Sequence, residues 1–494
     1  MALWHERARA LQFDGRLLIN GTRQHAQSAQ TLDCISPIHG QTLTQVARGQ
    51  AADIDAAVSS ARKAFDDGRW ANQSPTARKK VLQKWADLID AHRDELALLE
   101  TLDMGKPIQY SRSVDVPATS RCIRWYAEAI DKVYDEIAPT ARTALALITR
   151  EAMGVIGAIV PWNYPMIMSA WKLGPALAVG NSVVLKPSEK SPLTALRLAE
   201  LALEAGLPEG VFNVVTGLGH EAGEALALHP DVDAIGFTGS TAVGRKMLAY
   251  AAQSNLKRVY NELGGKSANI VFDDFDDLGR AAATAAGCIF FNQGQSCNAP
   301  SRLLVQASIA DAFEAAVIKH VAAYQPTDPL DDTTVMGALV DAAQHNNVLS
   351  YIAQGHEDGA QCATGGAAVK ADTGGFYVQP TVFTGVNNQM TIAREEIFGP
   401  VLSIIRFTDE AQAVQIANDS PYGLQAGVWS SNINRAHRVA RALKAGTVHV
   451  NQYDDDDMSV PFGGFKQSGN GRDKSLHALD KYTELKTTWI RLEP

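Results

Sequence analysis

The chain has 494 residues, of which 46% are hydrophobic and 20% charged, and its formal net charge is −9 at pH 7. This length exceeds one ordinary hydrophobic core, so we expect two or three domains. The composition is that of a folded globular protein. The negative charge argues against nucleic acid or an anionic membrane as the main partner. The N-terminus carries charges of both signs without a secretory apolar segment, which predicts a cytoplasmic protein.

The cysteines of the chain are scattered. They are Cys34, Cys122, Cys288, Cys297 and Cys362. Because no C-x-x-C pair occurs in the sequence, their spacing indicates neither a zinc site nor a disulfide framework. We therefore predict no bound metal and a reducing compartment.

The N-terminal part of the chain is predicted to be mainly helical, with candidate helices at 53–65, 76–99 and 108–134. Two segments outside this region, 143–149 and 484–490, are instead predicted to be β strands. Strands at a chain end and in a hairpin-like excursion leave open edges, which need a partner.

Short apolar runs recur between residues 150 and 270. They lie at 154–160, 182–185, 211–215, 234–237 and 258–260. Such non-alternating runs are typical of strands buried on both faces of a parallel sheet. A helix is predicted after the second run, capped and started by Ser191 and Pro192 and ended by Gly206. Alternating strands and helices predict a doubly wound α/β domain.

A second set of apolar runs follows residue 270. These runs lie at 303–305, 401–405 and 446–450. They predict a second α/β unit, so the fold class expected for the whole chain is α/β.

Four short segments carry the chemistry of the chain. Cys297 ends the run FFNQGQSC, Glu262 lies in NELGGK, and the other two segments are PWNYP at 161–165 and EEIFGP at 395–400. Together they resemble the aldehyde dehydrogenases, which oxidise aldehydes to carboxylic acids with a nicotinamide cofactor. The resemblance covers essentially the full length of the chain.

The resemblance implies a division of the chain into three parts. A Rossmann-like NAD-binding domain would comprise 1–133 and 153–264, and an α/β catalytic domain would comprise 265–474. A β-strand oligomerisation arm would comprise 134–152 and 475–494. We therefore expect a homo-oligomer, either a dimer or a tetramer; the alternative is that these segments are ordinary edge strands of one domain.

The catalytic residues implied by the resemblance begin with Cys297. A thiolate can add to an aldehyde carbonyl, although a lone cysteine is more often a small buried hydrophobe. The side-chain amide of Asn163 and the backbone N–H of Cys297 would bind the oxyanion; on its own, the asparagine could simply satisfy a turn. Glu262 would activate the water that hydrolyses the thioester, which excludes transfer to coenzyme A. Lys172 would help to lower the thiol pKa.

The cofactor loop is predicted at 237–244, after a strand and before a helix, as a phosphate-binding loop requires. Its glycine spacing departs from G-x-G-x-x-G and is weak evidence alone, but the resembled family uses this version. Glu189 beside a ribose 2′-hydroxyl would repel a 2′-phosphate, which favours NAD, with NADP the weaker alternative. The expected cofactor-binding residues are Trp162, Lys186, Ser188, Glu189, Gly219, Gly239, Ser240, Thr241, Gly244, Leu263, Glu396 and Phe398.

The acidic run at 454–457 falls where the family lines the mouth of its substrate tunnel. Four carboxylates would attract an aldehyde with a cationic tail, whereas the alternative is a solvated acidic loop. We therefore expect NAD-dependent oxidation, through a thiohemiacetal and a thioester, of an ω-amino-, γ-glutamylamino- or guanidino-aldehyde from polyamine or arginine breakdown. The alternatives are a broad aliphatic or aromatic aldehyde dehydrogenase and a catalytically silent binding protein. The expected substrate-contacting residues are Tyr164, Met168, Trp171, Phe291, Asp455 and Asp456.

Overall fold

A computed structural model describes residues 2–493 of the chain, and its strands are short. In chain order the strands are β1 Leu17–Ile19, β2 Thr22–Gln24, β3 Thr31–Ile35, β4 Thr42–Ala47, β5 Glu136–Ala138, β6 Ala144–Ala152, β7 Val155–Ile159, β8 Ser182–Lys186, β9 Phe212–Val214, β10 Ala234–Thr238, β11 Arg258–Glu262, β12 Ala268–Val271, β13 Arg302–Gln306, β14 Gln361–Thr364, β15 Ala368–Val369, β16 Tyr377–Val378, β17 Thr381–Thr384, β18 Val401–Phe407, β19 Gln425–Trp429, β20 Thr447–Val450 and β21 Thr483–Arg491.

Helices alternate with these strands through most of the chain. They are α1 Ala2–Ala10, α2 Ala51–Asp66, α3 Pro75–Ala91, α4 Arg93–Met104, α5 Ile108–Tyr110, α6 Val116–Ala129, α7 Pro165–Ala178, α8 Leu193–Ala205, α9 Glu224–Leu228, α10 Thr241–Gln253, α11 Leu278–Phe290, α12 Ala310–Val321, α13 Ala342–Glu357, α14 Thr391–Arg394, α15 Glu410–Asn418 and α16 Ile433–Ala442. A π-helical turn, Ser111–Asp115, joins α5 to α6.

The first large sheet has the order β11-β10-β7-β8-β9-β1-β2, and its strands from β11 to β9 are parallel. Every residue of β7, β8 and β10 is buried, which accounts for their continuous apolar sequences. Ile159 pairs with Lys186, and Thr238 pairs with Glu262. The carboxyl ends of these strands therefore meet at one edge of the sheet, where parallel α/β sheets bind their ligands.

The second large sheet has the order β14-β17-β18-β13-β12-β19-β20, and only β14 runs antiparallel to its neighbour within it. Two large, mainly parallel sheets with intervening helices confirm the predicted α/β fold class. The first sheet uses strands from 17–262 and the second uses strands from 268–450. The domain boundaries given above stay a prediction.

A separate antiparallel sheet has the order β21-β6-β5. β21 pairs with β6 along its whole length, from Thr483 opposite Ala152 to Arg491 opposite Ala144. The two β segments predicted in these regions are confirmed, and each supplies the edge that the other needs. Large apolar side chains remain exposed on this sheet, among them Ile137, Leu485 and Trp489.

Two of the predicted helices are interrupted. The helix expected at 76–99 is two helices, because His92 has φ −95° and ψ 23° and leaves the helical conformation. The helix expected at 108–134 contains the π-helical turn and ends at Ala129, after which the chain turns towards β5. The apolar pattern predicted which regions are helical but not the positions at which the helices are interrupted.

The start of α8 differs from the prediction. Ser191 does not cap this helix, because its hydroxyl donates to the carbonyl of Trp162 (3.1 Å) and Pro192 occupies the N-cap position. The N–H of Leu193 is instead satisfied by the carboxylate of Asp103 (2.9 Å). The predicted end is confirmed, since Gly206 has φ 104° and adopts the left-handed conformation that favours glycine there.

None of the helices in the described chain is long and apolar enough to cross a membrane.

Candidate active site

A cavity of about 480 Å³ lies at the carboxyl edge of the first sheet. It brings together most of the site residues expected from the sequence. These are Trp162, Asn163, Tyr164, Met168, Trp171, Gly239, Ser240, Glu262, Leu263, Phe291, Cys297, Glu396, Phe398, Asp455 and Asp456. The expected residues that do not line the cavity are Lys172, Lys186, Ser188, Glu189, Gly219, Thr241 and Gly244.

The loop before Cys297 is held in an uncommon backbone conformation. Asn292 and Gln293 have φ of 49° and 57°, a region that costs free energy for residues other than glycine. At Gly294 a Cβ would lie 2.1 Å from the carbonyl oxygen of Gly399, so only glycine fits. The loop is therefore rigid because surrounding contacts fix it, and it presents Cys297 to the cavity.

Asn163 is fixed beside this loop. Its side-chain amide donates to the carbonyl of Gln295 (3.0 Å), and the amide of Asn292 donates to the carbonyl of Asn163 (3.0 Å). A primary amide has two N–H donors, so one remains for a substrate oxygen after the bond to Gln295. This geometry suits the predicted contribution of Asn163 to an oxyanion site.

Glu262 is the last residue of β11, and its side chain is buried. Neither carboxyl oxygen has a hydrogen-bond partner within residues 2–493. Burial, and secondarily the carboxylate of Asp473, raises the pKa of Glu262 to about 8, although nearby cations, including Lys172 and Lys481, oppose the rise. A group with this pKa can exchange a proton near neutral pH, as a general base requires.

Lys172 contributes to the charge balance around Glu262. Its ammonium donates to Asp473 Oδ2 (2.5 Å), and Lys481 pairs with the other oxygen of the same carboxylate. Burial pushes the pKa of Asp473 upwards, but the two ammonium groups outweigh it and keep that pKa below its ordinary value. Lys172 also lowers the pKa of Glu262 and does not line the cavity, and its effect on the thiol pKa stays a prediction.

The surroundings of Cys297 favour the neutral thiol. Burial raises the pKa of Cys297 strongly, and the carboxyl groups of Glu396, Glu262 and Asp454 add to this effect. Forming the thiolate in this cavity is therefore less favourable than in water.

Glu396 packs against the segment that follows β11. One of its carboxyl oxygens accepts the backbone N–H of Gly265 (3.0 Å), and a Cβ at Gly264 would lie 2.0 Å from the other oxygen. Burial raises the pKa of Glu396 to about 7, and the bond from Gly265 partly offsets this. Phe398 packs edge-on against Trp162, with ring centroids 5.2 Å apart.

The loop between β10 and α10 opens a helix as predicted. Ser240 is the N-cap residue, and its hydroxyl oxygen accepts the N–H of Val243 (3.4 Å) while its hydroxyl hydrogen stays available. Thr241 donates its hydroxyl to the carbonyl of Gln467 (3.4 Å). A Cβ at Gly244 would lie 2.5 Å from Leu263 Cδ2, so the glycine allows α10 to pack closely on the end of β11.

A lysine and a glutamate form a pair at the end of β8. Lys186 is buried, and its ammonium lies 3.0 Å from the carboxylate of Glu189. Burial lowers the pKa of Lys186, and the charge of Lys186 keeps the pKa of Glu189 below its ordinary value despite the burial of that carboxyl. Ser188 accepts the N–H of Lys190 (3.3 Å), and Gly219 begins a π-helical turn. This pair offers one donor and one acceptor at the cofactor edge of the sheet.

Aromatic and apolar side chains form the inner walls of the cavity. Trp171 packs against Phe462 with ring centroids 5.0 Å apart, and Phe291 packs against Tyr110 at 4.9 Å. Phe462 was not among the residues expected from the sequence to contact the substrate.

The acidic loop is partly neutralised by the protein itself. Asp456, a predicted substrate contact, forms an ion pair with Lys474, whose side chain is 2% exposed. Asp454 accepts the amide of Asn298 (2.5 Å), and Asp457 accepts the N–H of Ser459 (2.8 Å). Asp455 has no ion-pair partner in the described residues, and it is exposed at the cavity mouth.

Sequence reasoning also missed the cations at the cavity mouth. Arg121 and Lys474 line the cavity together with the acidic loop. Burial lowers the pKa of Lys474 to about 8. The sequence gives little indication that Arg121 lies at the cavity, because it is one of several arginines on predicted helices.

Comparison with known proteins gives the family. Residues 24–488 match the model of the aldehyde dehydrogenase family. The chain belongs to this family. It is 56% identical over 493 residues to the NADP/NAD-dependent aldehyde dehydrogenase PuuC of Escherichia coli K12, covering 100% of this chain and 99% of that protein.

Two solved structures are also similar to this aldehyde dehydrogenase. One is a γ-glutamyl-γ-aminobutyraldehyde dehydrogenase from Burkholderia cenocepacia J2315, with 59% identity and a TM-score of 0.98 over 100% of this chain and 99% of that one. The other is the indole-3-acetaldehyde dehydrogenase AldA of P. syringae in complex with NAD+ and IAA, with 58% identity and a TM-score of 0.99 over 99% of both chains. The expectation of an NAD- or NADP-dependent aldehyde dehydrogenase is confirmed.

The electrostatics of the cavity predict the effect of removing one carboxylate. In Glu396→Gln, the thiol pKa of Cys297 should fall because a neighbouring negative charge is lost, so iodoacetamide at pH 8 should alkylate Cys297 about three- to tenfold faster. Peptide mass spectrometry gives the rate at this cysteine. Glu189→Gln, which alters a carboxyl outside the cavity, is the control, and an unchanged rate in Glu396→Gln would contradict the electrostatic account.

Proposed function

We propose that this aldehyde dehydrogenase oxidises aldehydes whose far end carries an amine or another cationic group, with Cys297 as nucleophile and NAD as the preferred cofactor. The substrate class comprises ω-amino-, γ-glutamylamino- and guanidino-aldehydes. The observation that carries the proposal is a single cavity with Cys297, Asn163 and Glu262 along its inner walls and Asp455 exposed at its mouth.

The chain's own residues account for the addition and hydrolysis steps. The Cys297 thiol transfers its proton to a solvent water as the sulfur attacks the aldehyde carbon, and the free N–H of Asn163 and the backbone N–H of Cys297 bind the resulting oxyanion. NAD, when bound, supplies a hydride acceptor. Glu262 in its carboxylate form then takes a proton from the water that attacks the thioester, which releases the acid and the thiolate.

The residues at the cofactor edge fit a dinucleotide. The Lys186 ammonium can donate to ribose hydroxyls and the Glu189 carboxylate can accept from them, while Ser240 and the first N–H groups of α10 suit a phosphate. Glu396 and Phe398, which also line the cavity, suit the nicotinamide half. Because Glu189 would repel a 2′-phosphate, we propose that NAD is preferred to NADP.

The charges at the cavity mouth support the aminated substrate class. Asp455 can attract a cationic tail, and Arg121, which also lines the cavity, can attract a carboxylate. An aldehyde with a γ-glutamylamino end carries both charges. The Burkholderia relative, 59% identical, is named for such a substrate.

A second candidate substrate class is aromatic. The apolar walls that include Trp171 and Phe462 can pack against an aromatic ring, and the P. syringae relative is named for indole-3-acetaldehyde. This candidate shares the Cys297 chemistry and differs only in which part of the cavity recognises the tail.

We also propose that the antiparallel sheet β21-β6-β5, which lies in the segments expected to form the arm, joins subunits into a homo-oligomer. Leu485 and Trp489 project from one face of β21 and are 65% and 66% exposed, and Ile490 projects from the other face. Exposed apolar side chains on both faces of a small sheet are typical of a surface that is covered in an assembly.

The catalytic roles predict a separation of two kinetic steps. Cys297→Ser should reduce NADH formation by at least about a thousandfold, because the thiolate is lost. Glu262→Gln should retain a first burst of about one NADH per site while steady-state turnover falls by about 10²- to 10⁴-fold. Stopped-flow absorbance at 340 nm measures both.

The pH dependence of turnover gives a second readout for Glu262. Below pH about 8 its carboxyl is mainly protonated and cannot accept a proton, so wild-type turnover limited by hydrolysis should rise with pH through this value. Glu262→Gln should lack this rise, and Glu209→Gln, which alters an exposed carboxyl, should keep it. A burst lost together with steady-state turnover in Glu262→Gln would contradict its assignment to hydrolysis.

The substrate proposal predicts a selective effect at the cavity mouth. Asp455→Asn should lower kcat/KM for 4-aminobutyraldehyde by roughly two- to fivefold, as expected for a partly exposed charge pair. The kcat/KM for hexanal should stay unchanged. Asp457→Asn, in the same loop but bonded to a backbone N–H, should have a smaller effect. If wild type uses hexanal or indole-3-acetaldehyde as well as 4-aminobutyraldehyde or 4-guanidinobutyraldehyde, the cationic-tail proposal is wrong.

If this sheet joins subunits, charged substitutions on the exposed face of β21 should change the oligomeric state. The double variant Leu485→Lys and Trp489→Lys should have the mass of one chain by light scattering, because charges on this face oppose burial. Ile433→Lys replaces an equally exposed apolar residue on α16 and should keep the wild-type mass. Equal masses for wild type and the double variant would contradict the role of the arm.

A further inference from the structure

A fully buried group of three charges lies beneath the substrate cavity. Lys106 donates to Glu100 Oε1 (3.0 Å) and to Asp115 Oδ1 (2.5 Å), and all three side chains have no exposed surface. The second carboxyl oxygens, Glu100 Oε2 and Asp115 Oδ2, have no hydrogen-bond partner in the described part of the chain. Burying such a group is unfavourable compared with apolar residues, so stability alone does not explain it.

The ammonium of this group also contacts the wall of the active site. Lys106 Nζ lies 4.1 Å from the centroid of the Tyr164 ring, which is a cation–π contact. The Tyr164 hydroxyl is hydrogen-bonded to Ser296 Oγ (2.5 Å). Since Ser296 precedes Cys297 directly, two contacts connect the buried charges to the nucleophile.

The local backbone holds the three charges in place. Gly105 ends α4 with φ 81°, so the chain reverses and Lys106 points back towards Glu100. Asp115 ends the π-helical turn, which is tied to α4 by the hydrogen bond from Thr101 to Ser111 (2.9 Å). π-helical turns occur frequently at functional sites.

Two carboxyl groups face the single ammonium of Lys106, whereas an ordinary ion pair has one. Burial raises the pKa of Glu100 well above its ordinary value, and Asp115 raises it further, whereas Lys106 opposes the rise. If the two carboxyl groups share one proton, the ammonium still has a carboxylate partner. Its contact with the Tyr164 ring is then unchanged. This arrangement keeps a cation under the aromatic ring in a region with no exposed surface.

We propose that Glu100, Lys106 and Asp115 position the nucleophile: Lys106 holds the ring of Tyr164, and the Tyr164 hydroxyl holds Ser296 and so directs Cys297 Sγ into the cavity. The inference rests on the proposed role of Cys297. None of the three charged residues lines the cavity, so they act only through Tyr164.

The test measures the alkylation of Cys297 by iodoacetamide from pH 7 to 10, which needs no aldehyde and no cofactor. Lys106→Met keeps the length of the side chain but removes the charge, and Tyr164→Phe keeps the ring but removes the hydroxyl. Each should lower the alkylation rate at every pH of this range, and kcat, by roughly tenfold while the Kd for NAD stays unchanged. Ser296→Ala should match Tyr164→Phe.

A double-mutant cycle separates positioning from general destabilisation. If the two residues act in one chain of contacts, Lys106→Met combined with Tyr164→Phe should be no slower than the slower single variant. Lys257→Met is the control. Lys257 is also buried and donates to the carbonyl of Ala227 (2.8 Å), but it does not line the cavity. Alkylation of Cys297 in this variant should be as fast as in the wild type.

Multiplicative effects in the double variant, or wild-type alkylation rates in Tyr164→Phe, would overturn the proposal. Should Lys106→Met fail to fold, Glu100→Gln and Asp115→Asn retain the ammonium but disturb its position; both must change the alkylation rate, and wild-type rates would again overturn it. These outcomes differ from failure of the proposed function, in which Cys297→Ser would retain aldehyde oxidation.

Discussion

The register between parallel strands is the constraint on which the active site depends. Thr238 lies opposite Glu262, and Ile159 lies opposite Lys186, so the loops that follow these strands meet at one edge. Side chains alternate between the faces of a strand, and a slip of one residue would move Glu262 to the opposite face of the sheet. The buried apolar strands therefore fix the fold and the direction of the base at the same time.

Desolvation at that edge determines the charge state of the site. Burial raises the pKa of Glu262 to about 8 and that of Glu396 to about 7, and it favours the thiol form of Cys297. These three groups cannot all be ionised without strong mutual repulsion. Lys172, paired with Asp473, lowers the cost of ionising Glu262, which explains a buried cation close to the base but outside the cavity.

The sequence predicted the elements better than the electrostatic partners. Buried strands and the Cys297 and Glu262 segments were recognisable because each is a local pattern. The pair of Lys172 with Asp473 joins residues 301 positions apart, and nothing local marks either as a partner of the other. The same holds for Asp456 and Lys474, since a run of four acidic residues gives no indication of which carboxylate the protein itself neutralises.

Helix interruptions were missed for a related reason. Apolar periodicity continues through 108–129, so it cannot distinguish a regular helix from one with a π-helical turn at 111–115. That turn depends on the burial of Asp115 against Lys106, which is a tertiary contact. Tertiary context overrode the helical pattern at the place where the chain approaches the cavity.

The charges at the cavity mouth separate recognition of the two ends of a substrate. The aromatic walls that include Trp171 and Phe462 would, on the proposed function, recognise a substrate only through packing, which discriminates weakly between chains of similar shape. At the mouth, Lys474 removes Asp456 from contact with substrate, and so the four consecutive acidic residues offer a smaller negative charge than their number indicates. On the proposed function, selectivity for a charged tail would then depend on the opposite charges of Asp455 and Arg121, which both line the cavity. A substrate that carries both an amine and a carboxylate can satisfy both groups at once, whereas a simple amine leaves the guanidinium facing it with the same sign of charge.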